Sequence, residues 1–276
     1  MIPASFDYVR AASVDEAVAA LTEHGDDAKL LAGGHSLLPL MRLRLATPAV
    51  LVDIGRVSDL SYVSEEPGGD IRIGALTRHH DLAGSELLRE RAPLLAAVAG
   101  QIGDPQVRHR GTIGGSVAHG DPASDLPAAL LALRATLVAR GPSGERSIPA
   151  DDFFTGFLET ALAADEVLTE IRVPALMPGT GWGFEKFNRR AQDWAIVAVA
   201  AVLNDGTPGV GLVNMGATPL RAAGVESALA GGASAGDAAS HAAEGTDPPA
   251  DLNATADFRR HLVEVLTRRA LESAQA

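Results

Sequence analysis

The stretches Ala32-Gly33-Gly34-His35-Ser36 and Thr112-Ile113-Gly114-Gly115-Ser116 decide how this chain folds around a ligand. In each stretch a Gly-Gly pair lets the backbone approach a ligand closely, because no Cβ stands in the way. Successive backbone N–H groups in such a turn form a concave anion site, and the terminal serine adds a hydroxyl donor. Two such loops predict a ligand with two phosphates, such as a dinucleotide, held between two segments of the fold. Two purely structural turns are the alternative that the spacing alone leaves open.

The spacing within the two loops excludes the common nucleotide-binding motifs. A Rossmann site needs Gly-x-Gly-x-x-Gly between a strand and a helix, and neither loop has that pattern. A P-loop ends in Gly-Lys-Ser or Gly-Lys-Thr, and both loops lack the lysine. The sequence therefore predicts that a dinucleotide would be bound by some other fold.

Composition limits the classes of function. The 276 residues are 46% hydrophobic and 21% charged, an ordinary globular balance, and the formal net charge is −12. That charge argues against general binding to nucleic acid or to anionic membranes. The chain has no cysteine, which excludes disulfides, a thiolate nucleophile and an iron–sulfur cluster held by its own thiolates. The N-terminal residues do not resemble a signal peptide, and no apolar run reaches the ~20 residues that span a bilayer, so a cytoplasmic protein is expected.

Periodicity and turn residues predict three regions, 1–55, 56–176 and 177–276. The first contains a helix capped by Ser13 and short strands that end at the first glycine loop. The second contains hairpins and helices, including one that begins at Asp125. The third is predicted as a three-stranded antiparallel sheet with helices; its strands are 183–189, 195–203 and 210–217, with a turn at 204–206. A flexible connection over 230–250 and a last amphipathic helix over 257–272, with Phe258, Leu262, Val265 and Leu266 facing inward, complete it.

Several polar residues could carry chemistry, and each has an ordinary structural alternative. Ser36 lacks the Gly-x-Ser-x-Gly context of a hydrolase nucleophile. His79-His80 could bind a metal, but adjacent residues point to different faces and a solvated helix start is the better interpretation. His109 and His119 flank the second loop and could touch a ligand or lie on the surface. Lys186, alone on a strand, is a type of residue that usually faces solvent.

Two further features near the second loop have functional and structural interpretations. The segment 104–110 contains Arg108, His109 and Arg110 and could place positive charge near phosphates, or it could be a solvated turn. Asp125 opens a helix and could stabilise its first turn. It could instead accept hydrogen bonds from sugar or ribityl hydroxyls.

These pieces, in this order, resemble the flavoprotein (medium) subunits of molybdenum hydroxylases, the family of xanthine dehydrogenase. The resemblance covers nearly the whole chain and starts at Met1. It runs through Leu31-Ala32-Gly33-Gly34-His35-Ser36-Leu37-Leu38-Pro39, Gly111-Thr112-Ile113-Gly114-Gly115-Ser116 and Gly120-Asp121-Pro122-Ala123-Ser124-Asp125-Leu126-Pro127 to Glu185-Lys186-Phe187. Within the family, the likeness is strongest to the aerobic carbon monoxide dehydrogenase group.

The resemblance implies an α+β fold: an FAD-binding fold of the vanillyl-alcohol oxidase (PCMH) type in two α/β subdomains, followed by a C-terminal α+β domain. It implies that both glycine loops wrap the FAD pyrophosphate through backbone N–H groups and that Asp125 bonds ribityl or adjoining hydroxyls. The cofactor-binding residues implied are Leu30, Leu31, Ala32, Gly33, Gly34, His35, Ser36, Leu37, Ile102, Thr112, Ile113, Gly114, Gly115, Ser116, Asp125, Leu168, Lys186 and Trp194.

Two positions depart from the pattern of the carbon monoxide dehydrogenase group. The residue after Asp193 is usually tyrosine there, and here it is Trp194. An indole can still cover a flavin face, but it lacks a hydroxyl and fills more volume. The last residue of the second loop is often asparagine in that group, and Ser116 offers one donor–acceptor pair fewer. The sequence therefore leaves the flavin potential and the access of an acceptor open.

The resemblance implies an electron-transfer subunit with no catalytic side chain of its own, because the cofactor performs the redox chemistry. It implies partners: a large molybdenum-cofactor subunit, a small subunit with [2Fe–2S] clusters, a dimer of heterotrimers, and an external electron acceptor, with any membrane contact made only through the complex. The alternatives are the medium subunit of a xanthine, nicotine-like heterocycle or aldehyde dehydrogenase, or an FAD-binding scaffold without electron transfer. A self-sufficient flavin oxidase would need a substrate base, and none is identified.

Overall fold

A computed structural model describes residues 2–204 and 206–276 of the chain. The strands are β1 (Asp7–Arg10), β2 (Ala28–Leu31), β3 (Val50–Asp53), β4 (Val63–Glu65), β5 (Ile71–Gly74), β6 (Thr136–Gly141), β7 (Gly144–Pro149), β8 (Phe154–Gly156), β9 (Glu159–Thr160), β10 (Val167–Val173), β11 (Gly181–Phe187), β12 (Val197–Leu203), β13 (Gly209–Val213) and β14 (Leu220–Arg221). The α-helices are α1 (Val14–His24), α2 (Leu37–Leu43), α3 (His79–Gly84), α4 (Glu86–Arg91), α5 (Pro93–Gly100), α6 (Pro105–Arg108), α7 (Ile113–His119), α8 (Asp125–Ala132), α9 (Ala150–Phe153), α10 (Ala223–Ala230), α11 (Ala235–Ala239) and α12 (Ala256–Gln275).

A small parallel sheet forms the first layer. Its strand order is β1-β3-β2, and both outer strands run parallel to β3. Helix α1 covers the sheet, and its N-terminus is capped by the Ser13 side chain, which accepts from the Glu16 N–H. Strand β2 runs directly into the first glycine loop, as its sequence predicts. The loop therefore leaves the sheet at the carboxyl end of an edge strand, whose residues Leu30 and Leu31 are half-buried.

A five-stranded antiparallel sheet forms the second layer, in the order β4-β5-β10-β6-β7. A hairpin with its turn between Gly141 and Gly144 joins β6 to β7. Helices α5, α7 and α8 pack over this sheet and bury a large apolar core. The register of β10 against β6 shifts between Leu168 and Glu170, so the strand is irregular where it reaches Leu168.

The C-terminal sheet has four strands, and the prediction of three was wrong. Its order is β11-β12-β13-β14, antiparallel throughout. The additional strand is the two-residue strand β14, Leu220–Arg221, which pairs antiparallel with Gly211 and Leu212 of β13. It is only two residues long and directly follows Pro219, so no alternating pattern marks it in the sequence. The turn predicted at 204–206 includes Asp205, which lies outside the described residues.

Both faces of the C-terminal sheet are covered, which explains the continuous apolar run along β12. Val197, Val199 and Ala201 face helix α12, while Ala200 and Val202 face the core that contains α8. Glycines on β11 and β13 let these helices approach. A Cβ on Gly183 would lie 2.1 Å from the Ala270 carbonyl oxygen of α12.

The last helix packs with a different phase from the one predicted. Its buried face contains Arg259, Leu262, Val263 and Leu266, whereas Phe258 is 44% exposed. These four positions follow the helical i, i+3, i+4, i+7 pattern, and position i is the arginine. The guanidinium of Arg259 is buried because it bonds the Ile196 carbonyl oxygen and the Asp251 carboxylate. The segment 230–250 also contains helix α11, capped by Ser234, where a flexible connection was expected.

The close approach of α8 to β13 predicts a steep cost for a side chain at Gly211. An ideal Cβ there would lie 2.0 Å from the Ala128 carbonyl oxygen, so backbone must move. Gly211→Ala should lower the free energy of unfolding by about 1–3 kcal/mol or more, measured by urea denaturation. Gly68→Ala is the control, because nothing lies within 4 Å of that position and the change should stay within about 0.5 kcal/mol. Equal stability of the two variants would contradict the packing described.

Candidate functional site

A single cavity collects almost all of the predicted site residues. Its volume is about 770 Å³, within the usual range for small-molecule sites. It lies where the loop after β2, the start of α7, the start of α8 and strand β11 meet. The predicted residues that line it are Leu30, Leu31, Ala32, Gly33, Gly34, His35, Ser36, Leu37, Ile102, Thr112, Gly114, Gly115, Ser116, Asp125, Leu168, Lys186 and Trp194.

Ile113 is the one predicted site residue that does not line the cavity. Its side chain is fully buried in the core of the second layer, because it is the first residue of α7 and points toward the sheet. Its backbone N–H donates to the Thr77 carbonyl oxygen. Ile113 therefore anchors the second loop from behind.

The first glycine loop presents free backbone donors to the cavity. Among the described residues, none accepts a hydrogen bond from the N–H of Gly33, Gly34, His35 or Ser36. Gly34 has φ +77°, a conformation that favours glycine. Such a run of unpaired N–H groups at the end of a strand is suited to bind an anion.

The second glycine loop is the N-terminus of helix α7, and its own N–H groups are already paired. The Gly114 N–H donates to the Ala75 carbonyl oxygen at 2.8 Å, and the Gly115 N–H donates to Thr112 Oγ1 at 3.1 Å. Thr112 is thus the N-cap. In the second loop, the absence of a side chain at Gly115 lets a ligand approach the backbone closely. The free hydrogen-bond donors come from the first loop.

The two loops touch through backbone atoms. A Cβ on Gly33 would lie 2.3 Å from the carbonyl oxygen of Arg110 and 3.0 Å from the Cα of Gly111. A Cβ on Gly111 would in turn lie 2.7 Å from His79 Nε2. Only residues without side chains fit at this junction, so both glycines are required for the cavity to close.

Lys186 is buried, and the expectation that a strand lysine faces solvent was wrong. It shares a face of β11 with Trp182 and Phe184, at alternate positions, and that face packs against the apolar core to which α5 and α8 contribute. Its Nζ lies 2.6 Å from Asp125 Oδ2 at the first residue of α8, with side-chain exposures of 4% and 6%. Nζ also donates to the Gln101 carbonyl oxygen at 3.3 Å. Strand alternation therefore directs the lysine to the helix N-terminus.

Asp125 keeps one oxygen without a partner. Its Oδ1 is buried, and no described residue donates a hydrogen bond to it. Burial raises the pKa of the Asp125 carboxyl, and the Lys186 ammonium offsets part of that rise. An unpaired buried carboxylate oxygen is costly, so a hydroxyl donor from a ligand would stabilise this site.

Sequence reasoning missed His79, which lines the cavity. The ring is 5% exposed and packs beside Gly111, so the solvated helix start expected for His79-His80 was wrong for the first of the two. Burial lowers its pKa to about 4, with Arg78, His35 and Arg108 adding to the effect. His119 also lines the cavity, whereas the His80 ring stacks on His109 with centroids 4.0 Å apart. Nothing in the local sequence separates the buried histidine from its neighbour.

No group of three or more His, Cys, Asp or Glu residues that could hold a metal is found across 2–204 and 206–276. Within the same part of the chain, no helix is both long and apolar enough to cross a membrane.

Comparison with known proteins decides the family. Residues 4–176 match the model of the FAD binding domain in molybdopterin dehydrogenase, and residues 182–274 match the CO dehydrogenase flavoprotein C-terminal domain. The chain belongs to the FAD-binding medium subunits of the molybdenum hydroxylases. The likeness stated from the sequence is thereby confirmed, as is the fold that it implied.

Individual members of this family match over their full length. The chain is 46% identical to the carbon monoxide dehydrogenase medium chain of Hydrogenophaga pseudoflava, over 100% of this chain and 99% of that one. It is 36% identical to the nicotine 6-hydroxylase medium subunit of Paenarthrobacter nicotinovorans, over 98% and 97% of the two chains. A solved carbon monoxide dehydrogenase from Hydrogenophaga pseudoflava superposes with a TM-score of 0.96, covering 100% and 99%.

FAD, the cofactor of this family, fits the cavity on two independent observations. The free N–H groups of the first loop are donors of the kind that phosphate oxygens accept. The unpaired Asp125 Oδ1 is an acceptor of the kind that a hydroxyl satisfies. The medium subunit thus offers donors and an acceptor in one cavity.

The Asp125–Lys186 pair should show strong coupling in a double-mutant cycle. Removing one partner leaves a buried, unpaired group, so Asp125→Asn should cost roughly 3–5 kcal/mol of unfolding free energy. The double variant Asp125→Asn with Lys186→Met should recover most of that loss, because neither charge is then buried. Urea denaturation of the FAD-free chain measures both. Additive losses in the double variant would show that the two side chains are independent.

The buried His79 should make stability depend on pH. The unfolded chain protonates this histidine at its ordinary pKa of 6.5, but the folded chain resists until about pH 4. The neutral ring therefore stabilises the fold fully above pH 6.5, and this contribution of about 3 kcal/mol is lost as the pH falls toward 4. His79→Gln should remove that part of the acid destabilisation of the FAD-free chain, followed by urea denaturation from pH 7 to pH 4. An unchanged pH dependence in the variant would show that the ring titrates normally.

Proposed function

We propose that this chain is the FAD-binding electron-transfer subunit of an aerobic carbon monoxide dehydrogenase. The observation that carries the proposal is the cavity in which free donors of the first glycine loop and the unpaired Asp125 oxygen meet. The full-length relative from Hydrogenophaga pseudoflava, a carbon monoxide dehydrogenase medium chain, supports the choice of complex.

Each part of the cavity would hold a different part of the cofactor. The N–H groups of Gly33, Gly34, His35 and Ser36 would bind the pyrophosphate, with the second loop closing over it. Asp125 Oδ1 would accept from a ribityl or adjoining hydroxyl, and Lys186 would keep that carboxylate charged and in place. The apolar wall that faces the cofactor would include Ile102 and Leu168.

Bound FAD would supply the ability to accept electrons from the iron–sulfur centres of a partner and to pass them to an external acceptor. The chain itself would bind and orient the cofactor and limit the access of solvent. Trp194 lines the cavity and is 57% exposed, so it stands at the boundary between the cofactor site and solvent. Its indole, in place of the expected phenol, would restrict the access of an acceptor by bulk.

The partners proposed are a large molybdenum subunit and a small iron–sulfur subunit, assembled as a dimer of heterotrimers in the cytoplasm. Relatives of this chain are themselves named as subunits and medium chains, which supports a multi-subunit complex. The three regions 1–55, 56–176 and 177–276 would each contribute one wall of the cofactor site.

The proposal predicts the spectrum of the purified complex. The chain, coexpressed with its partner subunits, should copurify with one FAD per chain, and carbon monoxide should bleach the flavin absorption under anaerobic conditions. A matched sample given nicotine or an aldehyde should not bleach. Bleaching by one of these compounds and not by carbon monoxide would assign the chain to a different hydroxylase of the family. Absence of flavin, with no uptake on reconstitution, would overturn the electron-transfer role.

A further inference from the structure

His79 lies where the two glycine loops meet, and the cofactor roles assigned so far do not use it. Its backbone N–H donates to the Gly111 carbonyl oxygen at 3.1 Å, which fixes α3 to the start of the second loop. Its Nε2 lies beside the Cα of Gly111, and that same Cα lies beside Gly33 of the first loop. The imidazole thus lines the floor of the cavity, the part where the two loops are in contact.

The surroundings of the ring determine which nitrogen carries the proton. Nδ1 is buried, and no described residue offers it a hydrogen bond. A buried N–H without an acceptor costs more than a buried lone pair without a donor, so the neutral ring places its proton on Nε2. His79 then presents an Nε2–H donor from the cavity floor, next to Gly111.

The electrostatic field at this point favours an anion. Arg78, Arg108 and His35 all act on the His79 ring in the direction that resists a further positive charge. Among the ion pairs of the described residues, neither Arg78 nor Arg108 has a carboxylate partner. Asp53 and Asp81 are near enough to act on Arg78, but neither forms an ion pair with it. A neutral donor among unpaired cations is suited to a phosphate oxygen.

We propose that His79 is a binding residue for the FAD pyrophosphate, to which its Nε2–H donates a hydrogen bond. The inference rests on the proposed FAD function and adds a side-chain donor to the backbone donors of the first loop. It also explains why a histidine is buried at this position, since an apolar residue would fill the same space without the donor.

Flavins that differ only in their phosphates test the assignment. The complex is stripped of its flavin, and dissociation constants for FAD, FMN and riboflavin are measured by quenching of flavin fluorescence for the wild type, His79→Leu and His79→Gln. His79→Leu should weaken FAD about ten- to a hundredfold, as expected for a hydrogen bond to a charged group, and should leave riboflavin unchanged. His79→Gln keeps a donor of similar reach and should recover part of the FAD affinity.

The outcomes separate the possible roles. Equal weakening of FAD and riboflavin in His79→Leu, without rescue by His79→Gln, would show that the ring only packs and would overturn the assignment. Unchanged FAD binding in both variants would overturn it as well. Failure of the wild type to bind FAD would instead overturn the proposed function, so the two failures are distinguishable. Thermal unfolding of the flavin-free variants identifies a misfolded protein, and His79→Gln then carries the test alone.

Discussion

The buried pair of Lys186 and Asp125 is the interaction on which the cofactor site depends. It joins the C-terminal sheet to the N-terminus of α8, and therefore joins parts of the chain that are 61 residues apart. Burying two charges is expensive, and the 2.6 Å contact compensates only when both groups have further hydrogen-bond partners. Lys186 finds one in the Gln101 carbonyl oxygen, whereas Asp125 retains a free oxygen inside the cavity. The fold thus holds a charged acceptor that a ligand hydroxyl would complete.

Close packing between segments is the second requirement of the site, and glycines permit it at three contacts. Gly33 rests on the Arg110 carbonyl, Gly111 on His79, and Gly211 on α8. The last of these sets the position of the helix that begins with Asp125, so a contact far from the cavity fixes the acceptor inside it. The packing of the C-terminal sheet and the geometry of the site are therefore coupled, because α8 packs on that sheet and also carries Asp125.

Local signals in the sequence predicted the loops, the start of α8 and most strands, because glycine pairs, caps and alternation act over a few residues. The burial of Lys186 could not be predicted in this way, since it depends on Asp125 and the Gln101 carbonyl oxygen, which come from distant segments. Arg259 concealed the phase of α12, because a buried arginine interrupts the apolar stripe and is tolerated only through its bonds to Ile196 and Asp251. His79 looked like a solvated residue, but contacts with distant segments, including Gly111 of the second loop, enclose it.

The distribution of charge indicates what the site is built to hold and what it leaves to other chains. Free N–H groups, a neutral histidine and unpaired arginines gather at the junction of the loops, although the whole chain is acidic. These features are suited to phosphates and hydroxyls, the parts of FAD that take no part in its redox chemistry. Relatives named for carbon monoxide and for nicotine chemistry match the chain over nearly its full length. The same fold therefore occurs in relatives named for different oxidations, as expected of a chain whose polar groups in this cavity are suited to the cofactor.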